Sequence, residues 1–335
     1  MKARARAALA TALACVFQPA VAIDTSRHDV QSFAAEVASR HHLDRTWILE
    51  LLAQAEFKDA IIDAMNRPAE KVRPWFEYEK SFVTDKRIRE GRDFYAAHKA
   101  TFDDAAHKSG VPGTLLVAIL GIESSYGRIV GPFREIDALT TLAFDYPERA
   151  PYFRGQLEQF LLLVRDAHID PLAAMGSYGG AMGAPQFMPG NVRRFAIDAD
   201  GDGKIDLYGN WNDIAASVAN FLIAHGWQAG EPLYAKAMVA DPDREGLENG
   251  LALNTTVGEL AEQGVTIDRH MPPATPALFI ALREPEEPSY RVGFHNFWVL
   301  TRYNRSAMYA LAVCELAEAI AAGSPPQPTA EAHTP

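Results

Sequence analysis

The sequence predicts a mainly α-helical protein of the α+β class, and three observations carry that prediction. Apolar residues recur at three- and four-residue spacings along much of the 335-residue chain, which is the periodicity of amphipathic helices. One run, Leu115-Leu116-Val117-Ala118-Ile119-Leu120-Gly121-Ile122, is apolar on every side and reads as a helix buried within a core. From Gly230 to about Gly293 the texture changes to Pro-rich segments with β-like stretches, the mark of a small β-containing unit.

The chain opens Met1-Lys2-Ala3-Arg4-Ala5-Arg6, continues apolar to Phe17, and reaches Ala20-Val21-Ala22 before polar Asp24-Thr25-Ser26. A cationic start, a short apolar centre and an A-x-A site indicate a secretory signal peptide over residues 1–22, cleaved after Ala22. Cys15 offers a rival, acylation as a lipoprotein, but Ala12-Leu13-Ala14 lacks the usual upstream Leu and the signal would be unusually short. No later segment reaches membrane-spanning length, so a soluble periplasmic protein is expected, held to a membrane only if lipidated at Cys15. Loss of the signal leaves Cys314 as the one thiol, and its neighbours Leu311, Val313 and Leu316 make it a core residue. Lys2, Arg4 and Arg6 also depart, taking the formal charge from −11 to −14. That sign argues against nucleic acid and anionic membrane surfaces as partners.

Helical periodicity covers residues 30–37, 45–57 and 87–108, punctuated by Pro68, Pro74 and Gly91, and gives an N-terminal helical domain over 23–110. Pro112-Gly113 breaks the chain before the buried helix, and Gly127, Gly131 and Pro132 end it. A helix over 152–167, a glycine-rich loop from Gly176 to Pro189 and a helix over 213–225 complete a core unit over 111–229. The β-like stretches are 277–282 and 290–299, assigned to a small domain over 230–293. A strong apolar helix over 306–321 returns to the helical body, giving 294–323 to the core. Residues 324–335, with Pro325, Pro326 and Pro328, read as a disordered tail.

Glu123 follows directly on the apolar run and stacks one turn beyond Ile119 and Leu120. Poor solvation there penalises the charged carboxylate and raises its pKa, the condition for holding a proton to donate. A buried Glu paired with an Arg or with backbone amides is the structural alternative.

A second signal is Asp198-Ala199-Asp200-Gly201-Asp202-Gly203-Lys204-Ile205-Asp206. Carboxylates at positions 1, 3 and 5, Gly at 6 and a backbone carbonyl from Lys204 at 7 match the first half of an EF-hand loop. Hard oxygen donors at this spacing point to calcium rather than zinc. Position 12 is Gly209 where a bidentate Glu is expected, so Asp213, or less readily Asp206, would have to close a longer loop over 198–213.

Other catalytic motifs fail. Met175 occupies the first Gly position of a nucleophile elbow around Ser177. The loop 176–183 has neither a phosphate-loop lysine nor dinucleotide spacing, and no H-E-x-x-H pair occurs. A glycine-rich loop carrying Tyr178, Gln186 and Phe187 suits a sugar groove, with close backbone approach, aromatic stacking faces and an amide to bond hydroxyls. A tight structural turn is the alternative.

Glu123-Ser124-Ser125-Tyr126-Gly127, the run Gly176-Ser177-Tyr178-Gly179-Gly180-Ala181-Met182-Gly183-Ala184-Pro185-Gln186-Phe187-Met188-Pro189, the Asp198 loop, Val218-Ala219-Asn220-Phe221 with His225-Gly226-Trp227, and Leu300-Thr301-Arg302-Tyr303-Asn304 appear in order. Together they resemble the lytic murein transglycosylase B family, glycoside hydrolase family 103, from about Val30 to Ala321. The resemblance implies a lysozyme-like helical core containing an EF-hand, an N-terminal helical domain and a small β-containing domain. It implies cleavage of the β-1,4 bond between N-acetylmuramic acid and N-acetylglucosamine in peptidoglycan, leaving a 1,6-anhydromuramoyl end. Glu123 would act first as acid and then as base, and Ser177 would orient the substrate acetamido group. Gln186, Tyr303 and Asn304 would bind or position sugar; for Asn304, a helix cap before Ser306 is the local alternative. Structural calcium would be held by Asp198, Asp200, Asp202, the Lys204 carbonyl and Asp213. Peptidoglycan strands are the expected partner, with other cell-wall enzymes left open. A hydrolytic muramidase and a non-catalytic peptidoglycan-binding protein remain as alternatives, separated by the product end and by turnover.

Overall fold

The computed structural model describes residues 21–67, 73–166, 169–241, 247 and 250–323. Cys15, the first twenty residues of the expected signal and the expected tail 324–335 lie outside them.

The first part comprises β1 (Val21–Ala22), α1 (His28–His41), α2 (Arg45–Leu52), β2 (Glu56–Phe57), α3 (Asp59–Asn66), α4 (Trp75–Phe82), α5 (Asp85–Ala97) and α6 (Lys99–Ser109). The expected helix 45–57 therefore stops at Leu52, because Glu56 and Phe57 pair with Ala22 and Val21 as a short antiparallel ladder. The expected 87–108 helix is two helices meeting at His98, whose backbone (φ −116°, ψ 23°) leaves the helical region. This turns α6 against the next elements.

The centre holds α7 (Gly113–Ser124), β3 (Phe133–Arg134), α8 (Glu135–Asp145), α9 (Ala150–Arg165), β4 (Met175–Gly176), α10 (Pro189–Phe195) and α11 (Trp211–Ala224). Helix α7 is buried along nearly its whole length, as its unbroken apolar run requires. Helix α8 has no counterpart in the sequence reading. Ten of its eleven residues are buried, Asp137, Thr140 and Thr141 among them, so its polar positions do not mark a solvent face.

The small unit comprises β5 (Tyr234–Val239), β6 (Thr255–Thr256), α12 (Val257–Glu262), β7 (Val265–Ile267), β8 (Pro276–Leu282) and β9 (Ser289–Gly293), and the chain returns through α13 (His295–Tyr303) and α14 (Ala307–Ala321). Its antiparallel sheet runs β6-β8-β9-β5-β7. The expected strand 290–299 breaks at Gly293 and becomes helix α13. A side chain at Gly293 would press on Phe297 at 2.8 Å, and buried Asn296 donates to the carbonyls of Gln228 and Glu231. These contacts fix the turn into the helix.

One apolar cluster runs from Ile23 and Val30 through α7 to Ile320, and a second lies against the sheet around Ala235, Leu260, Phe279 and Val292. Cys314 is fully buried in the first. Among the described residues, no single helix is long and apolar enough to cross a membrane.

Candidate active site

Glu123 occupies the last turn of α7, where the chain leaves the helix abruptly. Ser125 caps α7 in the left-handed region (φ 50°), Tyr126 follows at φ 63° and Gly127 at φ 80°. Two consecutive non-glycine residues there are strained, and several contacts hold them. Ser124 Oγ donates to the Leu120 carbonyl and accepts from the Gly127 amide at 2.9 Å. The Tyr126 hydroxyl donates to the Arg87 carbonyl at 2.6 Å. Gly121 makes room for that ring, since a Cβ there would stand 2.7 Å from Tyr126 Cε1.

The Glu123 side chain is partly buried, and desolvation pushes its carboxyl up to about 7 against a weaker opposing hydrogen bond from Tyr309. That bond, from the Tyr309 hydroxyl to Glu123 Oε1, spans 2.6 Å. Tyr309 lies in the first turn of α14, where the Ser306 side chain accepts from its amide. Burial, followed by the Glu123 charge, raises the phenols of Tyr309 and Tyr303 well above their ordinary range. Both therefore stay protonated donors beside the carboxyl. The reading of 306–321 as a core helix missed this role of Tyr309, because a tyrosine in an apolar helix looks like packing.

Tyr303 links Glu123 to the glycine-rich loop. Its hydroxyl donates to the Pro185 carbonyl at 2.7 Å, its ring is 6.4 Å from that of Tyr309 and 5.7 Å from that of Phe187, and its phenol feels Glu123. Gln186, at φ 52°, donates through Nε2 to the carbonyls of Val130 and Gly183 at 2.9 Å. Its amide nitrogen thus ties the loop to the segment after Glu123, leaving Oε1 to face other groups. The Ser177 hydroxyl accepts from the amides of Gly179 and Ala181 at 3.2 and 3.1 Å, which leaves its proton free to donate. Tyr178 is 46% exposed, as a stacking face must be, whereas Phe187 is 1% exposed. Phe187 is therefore no stacking face for sugar, since it packs between Phe221 and Tyr303. Asn304 is exposed at the C-terminal end of α13, and the helix cap that its position suggests is supplied by Ser306 instead.

A second buried carboxyl escaped the sequence reading. Glu135, the first residue of α8, is fully buried, and neither of its oxygens meets a hydrogen-bond partner among the described residues. Burial pushes its carboxyl well above the ordinary range. It fills the space beneath the glycine-rich loop, where a side chain on Gly176 would overlap its Oε1.

The acidic loop brings Asp198, Asp200 and Asp202 together, with one oxygen from each within 4.8 Å of the others. Gly201 and Gly203 have φ of 76° and 86°, and the three carboxylates accept from the backbone amides of Gly201, Gly203, Asp202 and Lys204. Asp213 does not join the cluster. It is fully buried, and its two oxygens accept from the amides of Ala199 and Asp206 at 2.8 Å each. These bonds fasten both arms of the loop to α11.

A family model described as a transglycosylase SLT domain matches residues 25–318. The chain is 37% identical over 304 residues to the membrane-bound lytic murein transglycosylase B of Escherichia coli (strain K12), covering 88% of this chain and 82% of that protein. The solved structure of catenated lytic transglycosylase SltB1 from Pseudomonas aeruginosa superposes with a TM-score of 0.85 at 40% identity, covering 88% of this chain and 98% of that one. Escherichia coli Slt35 in complex with calcium gives 0.82 at 36%, covering 90% and 96%. Pseudomonas aeruginosa SltB3 in complex with NAG-anhNAM-pentapeptide gives 0.78 at 29%, covering 87% and 78%. Fold and site together define a peptidoglycan lytic transglycosylase on a lysozyme-like helical body. The chain belongs to the lytic murein transglycosylase B family.

Proposed function

We propose that Glu123 carries both proton transfers of the reaction. It donates its proton to the glycosidic oxygen as the bond from muramic C1 to the N-acetylglucosamine oxygen breaks, while the substrate's acetamido oxygen closes on C1 as an oxazolinium. The carboxylate so formed then takes the proton of the muramic C6 hydroxyl as that oxygen attacks C1. The acetamido group is released, the 1,6-anhydro ring closes, and the enzyme regains its proton with no net use of water. The observation that carries this reading is the pairing of Glu123 with Tyr309. A carboxyl raised to about 7 is poised to give a proton at neutral pH and take one back, and the phenol that bonds it steadies the transient charge.

Among the described residues, no second carboxylate contributes to the electrostatics of Glu123. This supports a single-carboxyl mechanism over the paired-carboxylate pattern of most glycosidases. Ser177, with its hydroxyl hydrogen free, orients the acetamido group, Tyr178 offers the exposed ring, and Gln186 Oε1 and Asn304 position sugar.

Asp198, Asp200 and Asp202 suit a hard dication, and with the Lys204 carbonyl they would hold calcium. When bound, the ion would offset two of the three negative charges and stiffen the loop before α11. The cationic start and A-x-A site support export to the periplasm with Ile23 as the mature N-terminus.

Mass spectrometry of products from purified sacculi tests the reaction. Disaccharide-peptides one water lighter than lysozyme products and resistant to borohydride are expected, and reducible muramic ends as the main product would replace transglycosylation with hydrolysis. Glu123→Gln should bind strands yet lose roughly 10²-fold or more in turnover. Full activity in that variant would remove Glu123 from the mechanism.

A further inference from the structure

Glu135 lies fully buried at the start of α8, and neither carboxyl oxygen meets a hydrogen-bond partner among the described residues. A buried carboxyl left in this state is rare in native proteins, and perturbed carboxyls gather at functional sites. Its place is the underside of the turn from Gly176 to Ala181. A side chain on Gly176 would overlap Glu135 Oε1 and stand 2.5 Å from the Ala181 carbonyl oxygen, so the two oxygens face one gap. A side chain on Gly180 would stand 3.5 Å from Oε2 and 2.5 Å from Leu139 Cδ2. The carboxyl thus lies directly beneath both glycines.

The same turn holds Ser177. The Ser177 amide donates to the Ala181 carbonyl at 3.0 Å, and the Ala181 amide donates back to Ser177 Oγ at 3.1 Å. Both flanks of the turn are pinned from outside, because the Tyr208 hydroxyl donates to the Met175 carbonyl and the Ala184 amide to the Leu207 carbonyl, each at 2.8 Å. A displacement that begins at Glu135 therefore falls between those anchors and carries Ser177 and Ala181 with it. Among the described residues no cation pairs with Glu135. Arg134 is taken by Asp137 at 2.7 Å and by Glu56 of β2, which also meets Lys58. Asp59 and Asp63 of α3 are exposed, as is Tyr178, and Arg154 of α9 bonds the Ala143 carbonyl at the far end of α8. Tyr208 is the titratable neighbour that feels the Glu135 charge; burial, followed by that charge, holds its phenol above the ordinary range, so it stays protonated.

We propose that Glu135 is a positioning residue for Ser177: as a neutral acid it supports the turn from below, and once ionised it drives the turn open and withdraws Ser177 from the substrate's acetamido group. The proposal rests on the transglycosylase reading above, in which Ser177 orients that group, and adds a second proton on which the loop depends. A carboxylate without partner or counter-charge in an apolar site is costly, and beside the Ala181 carbonyl it also meets the negative end of a peptide dipole. Opening the turn to water is the relief the geometry offers, since packed core lies below Glu135 while only Gly176 and Gly180 lie above it. Burial holds the carboxyl well above its ordinary range. The support is therefore fully in place below that ordinary range and is lost as pH rises through the higher folded value.

Binding of peptide-stripped glycan strands to Glu123→Gln, followed by titration calorimetry from neutral to alkaline pH, isolates this titration from that of Glu123. Affinity is expected to fall about tenfold, reversibly, as one hydrogen bond to the sugar is lost. The fall should vanish in Glu123→Gln/Glu135→Gln, which keeps the side-chain shape, and in Glu123→Gln/Glu135→Met, which fills the space without a polar group. It should vanish as well in Glu123→Gln/Ser177→Ala, which has no hydroxyl to withdraw, whereas a carboxyl of merely structural effect would leave that variant as pH-dependent as its parent. In unliganded Glu123→Gln the Ala181 methyl resonance should titrate over the same range, and it should stay fixed once Glu135 is replaced by Gln. An affinity that falls equally in the Gln and Met variants, or an Ala181 methyl that does not titrate, overturns the proposal. Absence of strand binding at neutral pH would instead sink the glycan reading, and the Ala181 resonance would still decide the behaviour of the turn.

Discussion

The Tyr309 hydroxyl bonds Glu123 Oε1 at 2.6 Å across 186 residues of chain, joining the last turn of α7 to the first turn of α14. The bond opposes the desolvation that raises the carboxyl, because a donor stabilises the ionised form. Replacing Tyr309 with Phe keeps the ring and removes the donor. The Glu123 pKa should then rise further, moving the alkaline limb of the kcat/KM profile from about 7 to higher pH. Peak turnover should fall roughly tenfold, as the carboxylate formed on donation loses its partner. An alkaline limb that stays put would show that the phenol does not touch Glu123 in the working enzyme.

The same carboxyl makes stability depend on pH in a definite sense. Its folded pKa of about 7 lies above the ordinary 4.5, so between those values the folded state holds a proton that the unfolded chain has already released. Its contribution to stability is therefore fully present below 4.5, falls as pH rises to 7 and levels off above. Glu123→Gln cannot ionise and should escape this loss. Urea unfolding of the two proteins at a series of pH values should show the variant gaining on the wild type as pH rises through this window. The change over that span should be about 3 kcal/mol at most. A pH-independent difference would mean that Glu123 is not desolvated.

Much of this arrangement is legible in the sequence. The apolar run 115–122 announces a buried helix, and Glu123 at its end announces a desolvated acid. The Asp and Gly spacing of 198–203 announces a folded acidic loop, and the structure does gather Asp198, Asp200 and Asp202. What escapes depends on contacts distant in sequence. Tyr309 looks like packing until α14 is placed beside α7, and α8 is buried on every side, so its polar residues do not set off a solvent face from a core face. Asp213 looks like a metal ligand because its side chain is acidic and well spaced; in the structure it stands outside the cluster of three, and its oxygens accept from the backbone amides of Ala199 and Asp206. Phe187 sits in a loop motif, where aromatic residues suggest stacking, yet it faces inward.

Calcium should bind at the Asp198 loop and raise the melting temperature, because a ligand held only by the folded state stabilises it. At a hundredfold excess over the dissociation constant the gain is about 2.7 kcal/mol. Asp198→Asn and Asp202→Asn should each weaken binding and shrink that gain, whereas Asp213→Asn should lower stability even in chelator, since Asp213 holds the loop through backbone bonds. Titration calorimetry and melting with and without chelator decide it. No heat of binding and an unchanged melting temperature would leave the loop as an acidic turn.

Glu135 presents the opposite case, a carboxyl that costs stability. Both oxygens are buried without partners among the described residues, and an unpaired buried polar group forfeits about 1–3 kcal/mol of hydration with nothing in return. Methionine has similar length, no charge and enough flexibility to fill the same space beneath Gly176 and Gly180. Glu135→Met should therefore raise stability by about 1–2 kcal/mol at neutral pH, with a larger gain at higher pH, where the wild-type carboxyl is driven to ionise against its burial. Gly176→Ala should do the reverse, because the added methyl group overlaps Glu135 Oε1 and crowds the Ala181 carbonyl at 2.5 Å. A loss of about 1–3 kcal/mol is expected from that overpacking, together with slower turnover as Ser177 and Gln186 shift. Combining the two substitutions separates the contacts. A flexible thioether yields where a carboxyl held at the start of α8 does not, so the double variant should recover part of the loss, and strict additivity of the two effects would mean that Glu135 and Gly176 do not share this space.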